Sequence, residues 1–197
     1  MSENQVKEPI EAYNGSYTYA DYLKFEFEEM VELIKGKIFR MSPAPRVFHQ
    51  KVSTRIFGEF YNFFSNNHCQ LFHAPTDVVL PIPNKKKESA TTVVQPDIVV
   101  VCDQSKVEEL CIFGAPDLIV EILSPHTRKK DLQDKYEVYE EAGVREYWIV
   151  MPEERLLEVF VLENAKYRRI QTYTDTDMVP CTIFPGLEVD LNEVFAA

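Results

Sequence analysis

The sequence predicts an α/β fold with a mixed sheet and helices on its faces. Three observations predict it. Residues 95–150 hold two apolar strands, each opened by Pro-Asp, then a charged helical stretch and a third apolar strand. Residues 46–66 switch to a helical period. From residue 156 onward, β-like runs alternate with turn residues. A chain of 197 residues is most simply one domain, expected over residues 17–197 behind a flexible tail at residues 1–16.

Taken in order, Thr18 is placed to cap a short helix running to Phe25. Met30 to Met41 reads as a hairpin turning at Lys35-Gly36. Ser42-Pro43-Ala44-Pro45 breaks the pattern. His49, Val52, Ile56, Phe60 and Phe63 then recur at spacings of three and four, the core-facing stripe of a helix. Leu71 to Pro81 reads as one strand, and the lysine-rich stretch from Asn84 to Ser89 as a solvated loop. Strands follow at Gln95–Cys102 and Pro116–Leu123. Ser124, Pro125 and Thr127 carry helix-start chemistry, and Gly143 ends that helix after Ala142. Arg145–Val150 is the next strand. Leu156–Leu162 and Tyr167–Tyr173 form a hairpin, Pro185-Gly186 turns the chain, and Leu191–Phe195 closes it as a short helix.

Composition narrows the function. The net charge is −11, which argues against a general nucleic-acid binder. The charge is uneven, however. Residues 1–34 carry eight acids and two basic residues, whereas residues 35–55 carry Lys35, Lys37, Arg40, Arg46, Lys51 and Arg55 and no acid. Arg128-Lys129-Lys130 adds a second basic cluster. A polyanion has local positive surface to meet, unless these are ordinary solvated faces. Cys69, Cys102, Cys111 and Cys181 are scattered, with no Cys-x-x-Cys pair, so they are expected to be reduced packing residues, neither zinc ligands nor a disulfide framework. The polar, acidic N-terminus lacks signal-peptide character, and no apolar run approaches the roughly 20 residues of a membrane span. A cytoplasmic protein with no membrane partner is expected.

One residue departs from a bland core. Glu121 lies within Asp117-Leu118-Ile119-Val120-Glu121-Ile122-Leu123, a run that reads as a central strand buried on both faces. A carboxylate there requires a cation, a metal or a proton. Asp97 opens the preceding strand. If the two strands pair antiparallel, the start of one lies beside the end of the other, with opposed Cβ atoms about 5 Å apart. The two carboxylates would then share one divalent ion, and oxygen ligands suit Mg2+ or Mn2+ better than zinc. Lys135 lies about 12 Å along the following helix. Glu121 lies about 7 Å back from the strand end, which brings the lysine within reach. The plain alternative pairs Lys135 with Asp131 on the helix surface. His49, alone on an apolar stripe, reads first as a hydrogen-bonded core histidine. Asp117 reads as a strand-opening or turn residue, and Asp77 has no assigned role. No G-x-S-x-G elbow, P-loop or G-x-G-x-x-G occurs, so serine hydrolase and nucleotide-cofactor chemistry are unsupported.

At these residues the chain resembles a known family. Pro96-Asp97 before Ile-Val-Val-Val, Pro116-Asp117-Leu-Ile-Val-Glu121-Ile-Leu-Ser124-Pro125, then Asp131 and Lys135 before Gly143-Val144-Arg145-Glu146-Tyr147-Trp148 are similar to the Uma-two family. That family is a domain of unknown function grouped with restriction endonucleases, within the PD-(D/E)XK nuclease superfamily. The similarity runs from Thr18 to Phe195 and includes Glu32, Lys35-Gly36, Met41-Ser42-Pro43, His49 and Pro185-Gly186-Leu187. It implies a restriction-endonuclease-like α-β-β-β-α-β core, with a mixed sheet and added β-hairpins. It also implies metal-dependent cleavage of DNA, with Mg2+ or Mn2+ held by Asp97 and Glu121. The superfamily places a lysine two residues after the acid. Here that position is Leu123, so Lys135 would take the role of orienting the water. Glu32 and His49 match further polar positions and would complete the site. DNA is the expected partner, and a homodimer is allowed. Two alternatives stand beside this reading. One is a catalytically inactive nucleic-acid- or protein-binding module that keeps the nuclease fold. The other is a structural protein in which Glu121 and Lys135 form a buried ion pair.

Overall fold

The structure, a computed structural model, describes residues 15–27, 29–41, 46–82, 86–124 and 130–196, the side chains of Lys130 and Asp131 excepted. Most of the predicted N-terminal tail, the Ser42–Pro45 break and the Pro125 and Thr127 helix start lie outside the described residues.

The fold is mixed α/β. A one-turn helix α1 (Tyr19–Tyr22) precedes β1 (Val31–Ile34) and β2 (Lys37–Arg40). The long helix α2 (Val47–Phe64) leads to β3 (Gln70–His73), β4 (Val78–Val79), β5 (Val93–Val94), β6 (Ile98–Val101), β7 (Ile112–Phe113) and β8 (Leu118–Ile122). Helix α3 (Tyr136–Ala142) follows a widened π-helical turn over Lys130–Lys135. Then come β9 (Glu146–Met151), β10 (Leu156–Glu163), β11 (Lys166–Thr174), β12 (Met178–Pro180), β13 (Glu188–Asp190) and α4 (Leu191–Phe195).

Two sheets carry the architecture. The larger runs β11-β10-β9-β8-β6-β3, antiparallel except for the β8–β9 pair that α3 connects. The smaller runs β2-β1-β5-β4-β7. One core lies between the larger sheet, α2, α4 and the β12–β13 ribbon, where Phe60 meets Trp148 edge-on at 5.4 Å. Each large side chain fully buried there contributes about 1.5–3 kcal/mol. A second core joins the other face of that sheet to α3 and the smaller sheet through Val99, Ile119 and Tyr139 beside Ile34, Val78 and Val94.

The local reasons are readable. Lys35 and Gly36 both take positive φ, 50° and 82°, the backbone of a tight turn between β1 and β2. A Cβ on Gly36 would crowd the Ser16 hydroxyl, which can rotate away, so it is the positive φ that favours glycine here. Gly143, at φ 90°, ends α3 as expected.

Several expectations need correction. The strand read over Leu71–Pro81 divides at Pro75. Its first half joins the larger sheet as β3 and its second joins the smaller as β4, because proline cannot donate to a ladder. The strand read over Gln95–Cys102 likewise begins only after Pro96-Asp97. The helix read from Thr18 to Phe25 stops at Tyr22, and Phe25 folds back against Tyr17 and Tyr22 with centroids 5.6 and 6.0 Å apart. Cys69 and Cys102 are not reduced packing residues but a disulfide. The β3–β6 register pairs Gln70 with Val101, so one step further sets Cys69 across from Cys102. A separation of 33 residues hides that pairing in the sequence. Cys111 and Cys181 are free and buried, as read.

The basic stretch is largely spent within the molecule. Lys35 pairs with Glu137 and Glu141, Arg40 with Glu29, and Arg46 with Glu153. Arg55 donates to the carbonyls of Val194 and Ala196, holding the end of α4. Among the described residues no helix is long and apolar enough to cross a membrane.

Candidate functional site

All five residues of β8 are buried, and their side chains alternate between the two cores. Leu118, Val120 and Ile122 face α2, and Ile119 faces the other way. Glu121 shares the face of Ile119, which brings it under α3. Its Oε1 accepts from Lys135 Nζ at 2.7 Å and from the Tyr139 hydroxyl at 2.6 Å. Lys135 and Tyr139 are four residues apart and so lie on one helical face. The Lys135 side chain is only 4% exposed, so it is not the surface group that the alternative took it for, and the Asp131 side chain of that pairing lies outside the described residues. Burial, and next the charge of Glu121, push the Tyr139 phenol well above its ordinary pKa, so it remains a donor.

Lys135 also ties the two sheets together. Its Nζ lies 2.9 Å from Oε1 of Glu32, which sits fully buried on β1 of the smaller sheet. The same Glu32 oxygen accepts the Gln95 amide N–H at 2.9 Å. The Gln95 side chain donates to Asp77 Oδ1 at 2.7 Å, and the Tyr22 hydroxyl donates to that oxygen at 3.1 Å. Burial raises the Asp77 carboxyl above the usual range, with a smaller push from Glu32, while the Gln95 and Tyr22 hydrogen bonds oppose the shift.

Asp97 stands one residue before β6. Ile98 pairs with Val120, so the antiparallel register carried one step further sets Asp97 opposite Glu121. Its Oδ2 accepts the Ile122 N–H at 2.7 Å. His49, from the first turns of α2, has Nε2 2.8 Å from the Ile122 carbonyl and 3.7 Å from Asp97 Oδ1. A carbonyl only accepts, so Nε2 carries the proton. Among the described residues, the His49 Nδ1 is buried without a hydrogen-bond partner. Side-chain exposure rises from 0% at Glu32 and 4% at Glu121 and Lys135 to 12% at His49 and 20% at Asp97. The cluster therefore opens to solvent on the Asp97 side.

The five residues singled out from sequence, Asp97, Glu121, Lys135, Glu32 and His49, thus occupy one connected region. Sequence reasoning missed Tyr139, Gln95 and Tyr22, and gave Asp77 no part. Tyr139 had a signal in its spacing of four from Lys135, but an aromatic on a buried stripe reads as core. Asp117 lies at the far end of β8, where it accepts from Cys102 N–H and Arg145, a strand-opening role. In chemistry, the donor set suits a hard divalent ion. Mg2+ takes one or two carboxylates and keeps several waters, and Asp97 and Glu121 would be the two carboxylates available. Lys135 and Tyr139 both use Glu121 Oε1, whereas a carboxylate has about four lone-pair sites.

A family model described as "Putative restriction endonuclease", Uma2, matches residues 18–192. The chain belongs to the Uma2 family. The resemblance seen in the Pro-Asp motifs is thereby borne out. A relative, "Uncharacterized protein slr1290" of Synechocystis sp. (strain ATCC 27184 / PCC 6803 / Kazusa), is 27% identical over 121 residues. That match spans 60% of this chain and 60% of the relative. Among solved structures, the crystal structure of a "putative nuclease belonging to DUF820" from Anabaena variabilis ATCC 29413 superposes with a TM-score of 0.71 at 20% identity. It covers 91% of this chain and 97% of the neighbour. At that identity the likeness establishes the restriction-endonuclease-like fold of this Uma2 chain, and the chemistry rests on the residues.

Proposed function

We propose that this chain is a divalent-metal-dependent endonuclease acting on DNA, with its site at Asp97, Glu121 and Lys135. The observation that carries the reading is the placement of one buried amine, Lys135, between the carboxylates of Glu121 and Glu32, beside the strand end that holds Asp97. Asp97 and Glu121 would hold Mg2+ or Mn2+. Bound there, such an ion would polarise the phosphoryl oxygen and lower the pKa of the attacking water.

The chain's own residues do the rest. Lys135 orients the attacking water and offsets negative charge as it develops on the phosphate. Tyr139 and Glu32 fix the amine and the Glu121 carboxylate so that neither reorganises during the reaction. His49 clamps the Ile122 carbonyl while the Ile122 amide holds Asp97, setting the carboxylate at the open edge. DNA would arrive from that edge.

A second reading keeps the fold without turnover, as a nucleic-acid- or protein-binding module. The 4% exposure of Lys135 favours it, since a catalytic amine must meet its substrate. Glu121→Gln decides between them. The amide keeps an acceptor for Lys135 and Tyr139, so the fold is retained. Under the enzyme reading, Mn2+-dependent plasmid nicking falls by about 10²-fold or more. If wild type nicks under no divalent ion yet retards DNA in a gel, the binding module stands and the nuclease reading fails.

A further inference from the structure

The far end of β6 carries a second constellation of ligand-bearing side chains. His68, Cys69 and Cys102 place an imidazole nitrogen and two sulfurs all within 4.8 Å of one another. We propose that reduction of the Cys69–Cys102 disulfide turns this cluster into a binding site for a zinc-class ion, separate from the carboxylate site.

Geometry supports the donor set. Two thiolates and one imidazole are ligands of tetrahedral zinc, with Zn–S about 2.3 Å and Zn–N about 2.0–2.1 Å. Across a tetrahedral ion those lengths set N and S about 3.6 Å apart and the two sulfurs about 3.8 Å apart. His68 Nε2 already stands 3.7 Å from Cys69 Sγ. The sulfurs, bonded to each other here, need only part by side-chain rotation, because the strands hold their Cα atoms across from each other at 3.9 Å.

The backbone at each ligand is held from outside the cluster. The His68 carbonyl accepts from Gln104 Nε2 at 2.8 Å, and Cys102 N–H donates to Asp117 Oδ2 at 2.8 Å. Cys69 N–H faces Asn67 Oδ1 at 3.4 Å. Cys69 is buried, Cys102 is half-buried and His68 is exposed, so a reductant and an ion approach from the His68 side. Three protein ligands leave the fourth position to water.

The chemistry balances with a thiol or phosphine reductant. Two equivalents of a small or protein thiol cleave the disulfide, giving two cysteine thiols and one oxidised thiol pair, and one phosphine with one water does the same, leaving as the phosphine oxide. The ion then displaces two protons and is held by two thiolates and neutral imidazole. Asp97 stands just before β6 and Cys102 just after it, five residues on, or about 16 Å at 3.3 Å per residue. Soft sulfur here and hard oxygen there select different metals. The proposal therefore stands or falls independently of the nuclease reading.

The test uses the full chain, reduced with a phosphine, desalted without oxygen and titrated with Co2+. The expected result is one Co2+ per chain, with a near-ultraviolet thiolate-to-cobalt charge-transfer band and the visible spectrum of a tetrahedral site, lost on adding Zn2+. The oxidised chain and the Cys69→Ser variant show neither, although Cys111 and Cys181 remain as internal controls. His68→Ala weakens binding by about 10–100-fold or more, the loss seen even for supporting residues at metal sites. Three outcomes overturn the proposal. They are reduced wild type binding no more Co2+ than Cys69→Ser, His68→Ala binding as tightly as wild type, or reduction unfolding the chain by circular dichroism before Co2+ binds.

Discussion

Lys135→Met removes the amine that links the two sheets while keeping most of the apolar stem. In the structure Nζ lies 2.7 Å from Glu121 and 2.9 Å from Glu32, whose side chains are 4% and 0% exposed. Methionine leaves two carboxylates buried side by side without that amine. Breaking a buried pair costs about 3–5 kcal/mol, and the Gln95 N–H and Tyr139 hydroxyl keep part of the hydrogen bonding. With a urea slope of about 2 kcal/mol/M, the unfolding midpoint should fall by about 1.5–2.5 M. The double variant Lys135→Met/Glu121→Gln should recover much of this, because one of the two charges is gone. Urea unfolding followed by tryptophan fluorescence reads both, since Trp148 is buried in the core against Phe60. A loss below about 1 kcal/mol, the range of an exposed ion pair, would refute the placement of Lys135 between two buried carboxylates. Full-strength nicking by a folded Lys135→Met chain would remove the lysine from the mechanism.

Three further outcomes are expected. Tyr139→Phe deletes a hydroxyl that donates to the buried Glu121 carboxylate, so stability falls by about 1.5–3 kcal/mol in urea unfolding; an unchanged midpoint counts against that bond. Asp77 has a raised pKa in the folded state, driven mainly by burial, so the folded chain holds this proton better than the unfolded one. Its contribution is therefore present at acidic pH and is lost as pH rises through the folded pKa. Asp77→Asn should flatten that part of the pH–stability curve, and equal slopes in the two proteins would contradict the assignment. Asp97→Ala should abolish the rise in melting temperature on adding Mn2+ while leaving the metal-free chain folded, and a melting shift the size of wild type's would show that Asp97 is no ligand.

Periodicity and turn chemistry made much of this molecule legible in the chain itself. Lys35-Gly36 marked the hairpin, the spacing from Val52 to Phe60 marked α2, and Gly143 marked the end of α3. Each depends on neighbours within one or two turns. Glu121 also declared itself, since a carboxylate inside Leu-Ile-Val-Glu-Ile conflicts with burial unless something answers its charge. The step from Glu121 to Lys135 needed only the rise of one strand and one helix.

What the tertiary structure decided depends on distant segments meeting. Pro75 broke an apparent strand and sent its halves to different sheets, and Glu32 of β1 in one sheet and Glu121 of β8 in the other both meet the Lys135 amine. Lys135 could then bridge two carboxylates where the helix arithmetic supplied one. Tyr139 looked like core because an aromatic's burial is visible in a pattern, whereas the direction of its hydroxyl is not. Cys69 and Cys102 met through an antiparallel register that no local spacing encodes. Local sequence sets the dihedral preferences and apolar periods of each segment. Which polar atoms end up facing each other follows from how sheets and helices pack to bury those apolar faces.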